Sequence, residues 1–81
     1  MSENKAEKKL LATIPRTATE EIQVQVNEYK GKKYLDLRIF YTTDGGNSWL
    51  PTKKGVAIYP ENLGMLKDAI ELAQKELENF E

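Results

Sequence analysis

The sequence predicts an α+β fold: a four-stranded antiparallel sheet followed by one long C-terminal amphipathic helix, packed as a homodimer. Three observations carry this. Two neighbouring stretches alternate apolar and polar residues across a glycine turn. The residues after Pro60 repeat apolar side chains at three- and four-residue spacing. The helix also carries more apolar surface than a modest sheet would cover, which a second copy can cover.

The elements follow in order. Residues 1–9 are polar and expected to be disordered. Residues 10–19, "LLATIPRTAT", read as an extended arm or a short edge strand that Pro15 keeps from the sheet interior. Residues 1–19 are therefore a flexible N-terminal tail and arm, and residues 20–81 a single domain. In "EIQVQVNEY", Ile22, Val24 and Val26 face one way and Gln23, Gln25 and Asn27 the other. Gly31 in "KGK" is free to turn the chain. In "KYLDLRIFY", Leu35, Leu37 and Ile39 go inward while Tyr34, Asp36, Arg38 and Phe40 go outward. "TTDGGNS" is a loop, "SWLPT" a short third strand and "GVAIY" a fourth. Pro60 suits the first helical position and Glu61 the positive end of the helix dipole. Leu63, Leu66, Ile70, Ala73, Leu77 and Phe80 form the stripe, widened by Met65, Ala69 and Leu72; Leu63, Leu66, Ile70, Ala73 and Leu77 are the expected dimer interface. Gly64 inside this helix costs about 1 kcal/mol relative to alanine.

Composition removes several function classes. The chain has 81 residues, no cysteine and no histidine. Disulfides, thiolate zinc sites and Ser-His-Asp or Cys-His catalysis are excluded, and no cofactor is implied. A domain this small is marginal alone, and oligomerisation is the staple that remains. No segment approaches the roughly 20 apolar residues of a membrane span, and the charged "MSENKAEKK" is no signal peptide. The default reading is a soluble cytoplasmic protein, nucleoid-associated if bacterial. Net charge is −1, but unevenly placed. Residues 30–56 carry six cations against two acids; residues 60–81 carry six acids against two lysines. A polyanion would meet the middle of the chain and avoid its end.

With the helix on one face of the sheet, the other face is open to function. Alternation places Gln23, Gln25, Asn27, Tyr29, Tyr34, Arg38 and Phe40 there. Single-stranded nucleic acid asks for such a mixture: flat surfaces for its bases and cations for its phosphates. Each residue also has a plainer reading. Tyr29 can pack a strand end, Arg38 can pair with Asp36, and Trp49 can cap a core. Lys30, Lys32 and Lys33 can simply surround a turn, and Lys53 and Lys54 can flank a solvated one. Gly55 beside them would let the backbone approach something bulky.

"YKGKKYLDLR", then "PTKKGV", a strand, a proline and an amphipathic helix resemble the positive cofactor 4 family of transcriptional coactivators. The matching positions are Tyr29, Lys30, Gly31, Lys32, Asp36, Arg38, Pro51, Lys53, Lys54 and Gly55, within residues 20–80. The resemblance implies a homodimer with curved sheets, helices packed across the dimer axis, and grooves for single-stranded or unwound DNA. Carried over, the surface residues are Tyr29, Lys30, Lys32, Arg38, Tyr41 and Lys54, with Lys53 beside them and Trp49 supplementing Tyr41. Simple alternation puts Tyr41 on the apolar face, so a bulge is needed to turn it outward. The family's long Ser- and Lys-rich N-terminal region has only a short mixed-charge counterpart here, so that regulatory layer is not expected.

The sequence therefore supports a non-enzymatic homodimer that binds single-stranded DNA, or alternatively RNA, with little sequence preference. Transcription machinery is a further candidate partner; a membrane is not. The rival is a protein-interaction module using the basic hairpin or the apolar helix face.

Overall fold

The computed structural model describes residues 8–79. Four strands, β1 (Lys8–Thr17), β2 (Glu20–Tyr29), β3 (Lys32–Tyr41) and β4 (Leu50–Ile58), are followed by α1 (Pro60–Glu78). The sheet is an antiparallel meander in the order β1-β2-β3-β4. No helix among the described residues is long and apolar enough to cross a membrane.

The central hairpin is the most regular part. β2 and β3 pair without interruption from Glu20 opposite Tyr41 to Tyr29 opposite Lys32. Lys30 and Gly31 both take positive φ, 52° and 81°. This is the two-residue turn whose twist matches that of the strands. Register fixes the faces. Gln23 lies opposite Arg38, Gln25 opposite Asp36 and Asn27 opposite Tyr34, all on the polar face. Val24 opposite Leu37 and Val26 opposite Leu35 build the apolar face.

Four strands are present, but not the expected four. Of the two readings of residues 10–19, the strand is what forms: β1 is an edge strand pairing with β2 along its length, from Lys8 opposite Asn27 to Thr17 opposite Glu20. Pro15 sits in it at the sheet's edge, where its missing N–H costs least. "SWLPT" and "GVAIY" are not separate strands. Both belong to β4, which runs unbroken through a register shift opposite β3 between Arg38 and Phe40. Ser48 and Trp49 lie outside it.

The helix also differs in placement. It was expected to cover one sheet face. Instead, among the described residues, α1 meets the sheet chiefly against β3, where the Tyr59 ring lies 5.3 Å from that of Tyr34. Tyr59 is the helix N-cap and makes no side-chain capping bond. Leu66 is half-buried, while Leu63, Ile70, Ala73 and Leu77 are exposed; Phe80 lies outside the described residues. Among the described residues no hydrophobic side chain is buried. The radius of gyration is 15.3 Å, against about 12 Å for a compact domain of this length. The physical reason is that amphipathic periodicity records that a stripe will be covered, not what covers it.

The β3–β4 loop is tied internally. Asp44 Oδ1 accepts from the Thr42 hydroxyl (2.8 Å) and the Ser48 amide (3.0 Å), and Oδ2 from the Ser48 hydroxyl (2.7 Å). The buried Thr42 donates its amide to Thr19 O at 3.0 Å, docking the loop on the β1–β2 turn. The Ser48 hydroxyl, then the Ser48 amide and Thr42, hold the Asp44 carboxyl down at about 2. A folded-state pKa below the ordinary value stabilises above that value, and the contribution is lost as pH falls towards about 2. The Asp44 carboxyl resonance is therefore expected to titrate with a midpoint near 2 in the native protein, and at a higher pH after Ser48→Ala, which removes the hydroxyl but leaves the Ser48 amide and Thr42 in place.

Candidate nucleic-acid interface

The polar face is a set of fixed groups. On β2, Gln25 Nε2 donates to Gln23 Oε1 and Gln23 Nε2 donates to Glu21 Oε2, both at 2.7 Å, so the amides are chained along the strand. On β3, Arg38 Nε and an Arg38 terminal nitrogen donate to the two Asp36 oxygens, each at 3.0 Å. The other terminal nitrogen donates to the Thr52 carbonyl at 2.9 Å. Asp36 is almost wholly buried, its side chain 4% exposed; that of Arg38 is 29% exposed. The Asp36 hydrogen bonds raise the Arg38 pKa further above its already high value. Both plain readings and functional readings of Arg38 are thus compatible: the pair exists, and it holds a planar cation in one orientation with two N–H donors unused.

"PTKKGV" is what makes room for this. Opposite Ile39, β4 carries the extra residues of the register shift, at 52–54. The Thr52 hydroxyl donates to Ile39 O at 2.7 Å and accepts from the Lys54 amide at 3.1 Å. This aims the Thr52 carbonyl at Arg38. Gly55 then passes directly beneath it: a Cβ there would stand 2.8 Å from both Arg38 Cζ and the Leu37 carbonyl. The bulky neighbour expected at Gly55 is Arg38 itself.

Around this pair lies an open groove of ≈ 430 Å³, walled by Tyr34, Phe40 and Pro51 and reached by Lys8 and Asn27. Gln23, Asn27 and Asp36 are the buried residues of β2 and β3, while the apolar side is not buried. The sheet therefore curls towards its polar face. Asn27 Oδ1 is buried there without a hydrogen-bond partner.

The expected site residues divide between locations. Arg38 is in the groove. Tyr29 is 60% exposed at the hairpin end, with Lys30 Nζ 5.3 Å from its ring centre. Lys32 lies opposite Tyr29 and, with Lys33, borders a hollow at Tyr59 and Pro60. Lys53 is exposed in the shifted segment. Lys54 lies along a hollow with Ile22, Leu37, Ile39 and Val56, on the apolar side. Tyr41 keeps the parity of Leu35 and Leu37, because β2–β3 pairing has no bulge to turn it. Trp49 is half-buried in the loop beside Gly46. Not singled out from sequence were Thr52, which holds Arg38 through a carbonyl and so leaves no side-chain signal, and Lys8, which the sequence pattern puts in the disordered tail but which begins β1 and reaches the groove.

The family model described as Transcriptional Coactivator p15 (PC4) matches residues 17–69. The chain belongs to the PC4 family. An RNA polymerase II transcriptional coactivator of Drosophila melanogaster is 40% identical over 53 residues, covering 65% of this chain. The chain spans 44% of that relative's length. Among solved structures, a PC4 homolog from Burkholderia pseudomallei in its orthorhombic form superposes with a TM-score of 0.76 at 31% identity, covering 84% of this chain and 90% of that one. Its tetragonal form gives 0.74 at 29% identity, with 84% and 98% covered. The PC4 match includes the β2–β3 hairpin and β4, which supply every lining residue of the groove but Lys8, and the start of α1.

Proposed function

We propose that two copies of this chain form a homodimer whose polar sheet faces bind single-stranded DNA with little sequence preference, in a non-enzymatic role where duplex is opened for transcription. The observation that carries the reading is the Arg38 guanidinium, held by Asp36 and Thr52 beside Tyr34 and Phe40 in an open groove. A fixed planar cation among aromatic rings suits stacked bases and a phosphate chain, and says nothing about base identity. Homodimerisation is supported by the absence of any buried hydrophobic side chain among the described residues. Membership of the PC4 family supports the setting in transcription.

Arg38→Ala is expected to weaken binding to thymidine, adenosine and cytidine oligomers alike, by about tenfold. Lys8→Ala, at the edge of the groove, should act in the same sense and also lower the salt dependence by about 0.7 in the log–log slope, the value of one phosphate on a single strand. A loss confined to one base would contradict the mechanism. Bound oligonucleotide should quench tyrosine or tryptophan fluorescence through stacking. Polyglutamate bound to the basic hairpin would leave it unchanged, which separates this reading from a protein-interaction module.

A further inference from the structure

Met65, Ala69 and Leu72, which the sequence pattern reads as widening the expected dimer stripe, form a separate apolar strip on another side of α1. At about 100° per residue, Met65 and Leu72 lie roughly 150° around α1 from Ile70, the middle of the expected dimer stripe. Met65 is 70% and Leu72 63% exposed, and the small exposed Ala69 joins them. A second copy seated over Leu63, Ile70 and Leu77 would leave this strip facing water.

Its border is acidic. Glu61 stands one turn before Met65, Asp68 sits between Met65 and Leu72, and Glu76 stands one turn after Leu72. These are the spacings at which helix side chains become neighbours. Lys75 is the one cation on that edge. Among the described residues none of these groups forms an ion pair. Three acids around an apolar strip disfavour a second copy of the same strip, since like charges would face each other. The same charge repels nucleic acid and anionic membrane surfaces.

We propose that this strip is a docking surface for a cationic amphipathic helix of another protein. Two or three leucine-like side chains would cover Met65, Ala69 and Leu72, and flanking lysines or arginines would pair with Glu61, Asp68 and Glu76. The surface is on the acidic helix, remote in chemistry from the basic groove, so occupancy of one should not exclude the other.

The test is a titration of the full chain with a fluorescent leucine–lysine amphipathic helical peptide, and with its leucine–glutamate counterpart. The lysine peptide is expected to bind and the glutamate peptide not. Met65→Gln with Leu72→Gln should weaken the lysine peptide by about tenfold or more, leaving sedimentation behaviour and single-strand binding unchanged. Amide shifts on peptide addition should centre on residues 61–76 along this edge. Equal binding by the double variant would overturn the proposal. So would peptide-induced dissociation of the dimer, which would place the peptide on the other stripe. Concentration-dependent higher oligomers abolished by Leu72→Gln would also overturn it, by making a second copy the occupant.

Discussion

Gly55→Ala is expected to destabilise the fold by about 1–3 kcal/mol, the range of overpacking at a tight site, and to remove most single-strand affinity. The added methyl group would meet Arg38 Cζ and the Leu37 carbonyl at 2.8 Å, and Arg38 Cβ at 3.1 Å. The carbonyl is backbone in the neighbouring strand and cannot yield without moving β3. The guanidinium is a side-chain end, but two oxygens of Asp36 and the Thr52 carbonyl hold it. Either β4 separates from β3 or Arg38 leaves Asp36, and both outcomes break the groove. Gly64→Ala makes the contrast. A Cβ at Gly64 meets nothing within 4 Å, and alanine in a helix interior is favoured by about 0.5–1 kcal/mol. Urea unfolding should therefore move the two glycine variants in opposite directions.

Leu37→Asp is expected to abolish the dimer. Leu37 occupies the middle of the apolar face, opposite Val24 on β2 and Val56 on β4. In a single chain that face is not buried, so an aspartate there would remain hydrated and cost little. Covered by a second copy, it would place an unpaired carboxylate in an apolar interface at a cost of about 3 kcal/mol or more. The substitution therefore reads the assembly. Sedimentation equilibrium should find the wild type dimeric and the variant monomeric, with cooperative unfolding weakened or lost. A wild type that is monomeric and unfolds like Leu37→Asp would contradict the covered face.

The parts that were legible from sequence are those where local period and tertiary role agree. In β2 and β3 the alternation is unbroken, so the whole set from Gln23 to Phe40 falls on the face that the pattern assigns. The helix boundaries follow from Pro60 and the apolar repeat. β1 was hard to read because register shifts after Leu10 and after Pro15 break its period, and a strand with two interruptions does not alternate. β4 reads as two strands in the sequence because three residues, 52–54, stand opposite Ile39. That shift depends on the Thr52 hydroxyl and carbonyl finding β3 partners, which no spacing encodes. Gly55 was legible as a close approach, while the identity of its neighbour needed the register. The position of α1 away from the apolar sheet face was not legible, because a single sequence does not distinguish an intramolecular partner from a second copy.

The most direct measurement is fluorescence anisotropy of a labelled single strand of about 20 nucleotides, titrated at two salt concentrations beside a duplex of the same sequence, with wild type and Arg38→Ala. The account predicts tighter binding to the single strand than to the duplex, weakening steeply with salt, and a clear loss in Arg38→Ala. Equal affinity for duplex and single strand, or no binding at low salt, would contradict a groove built to stack bases around Arg38.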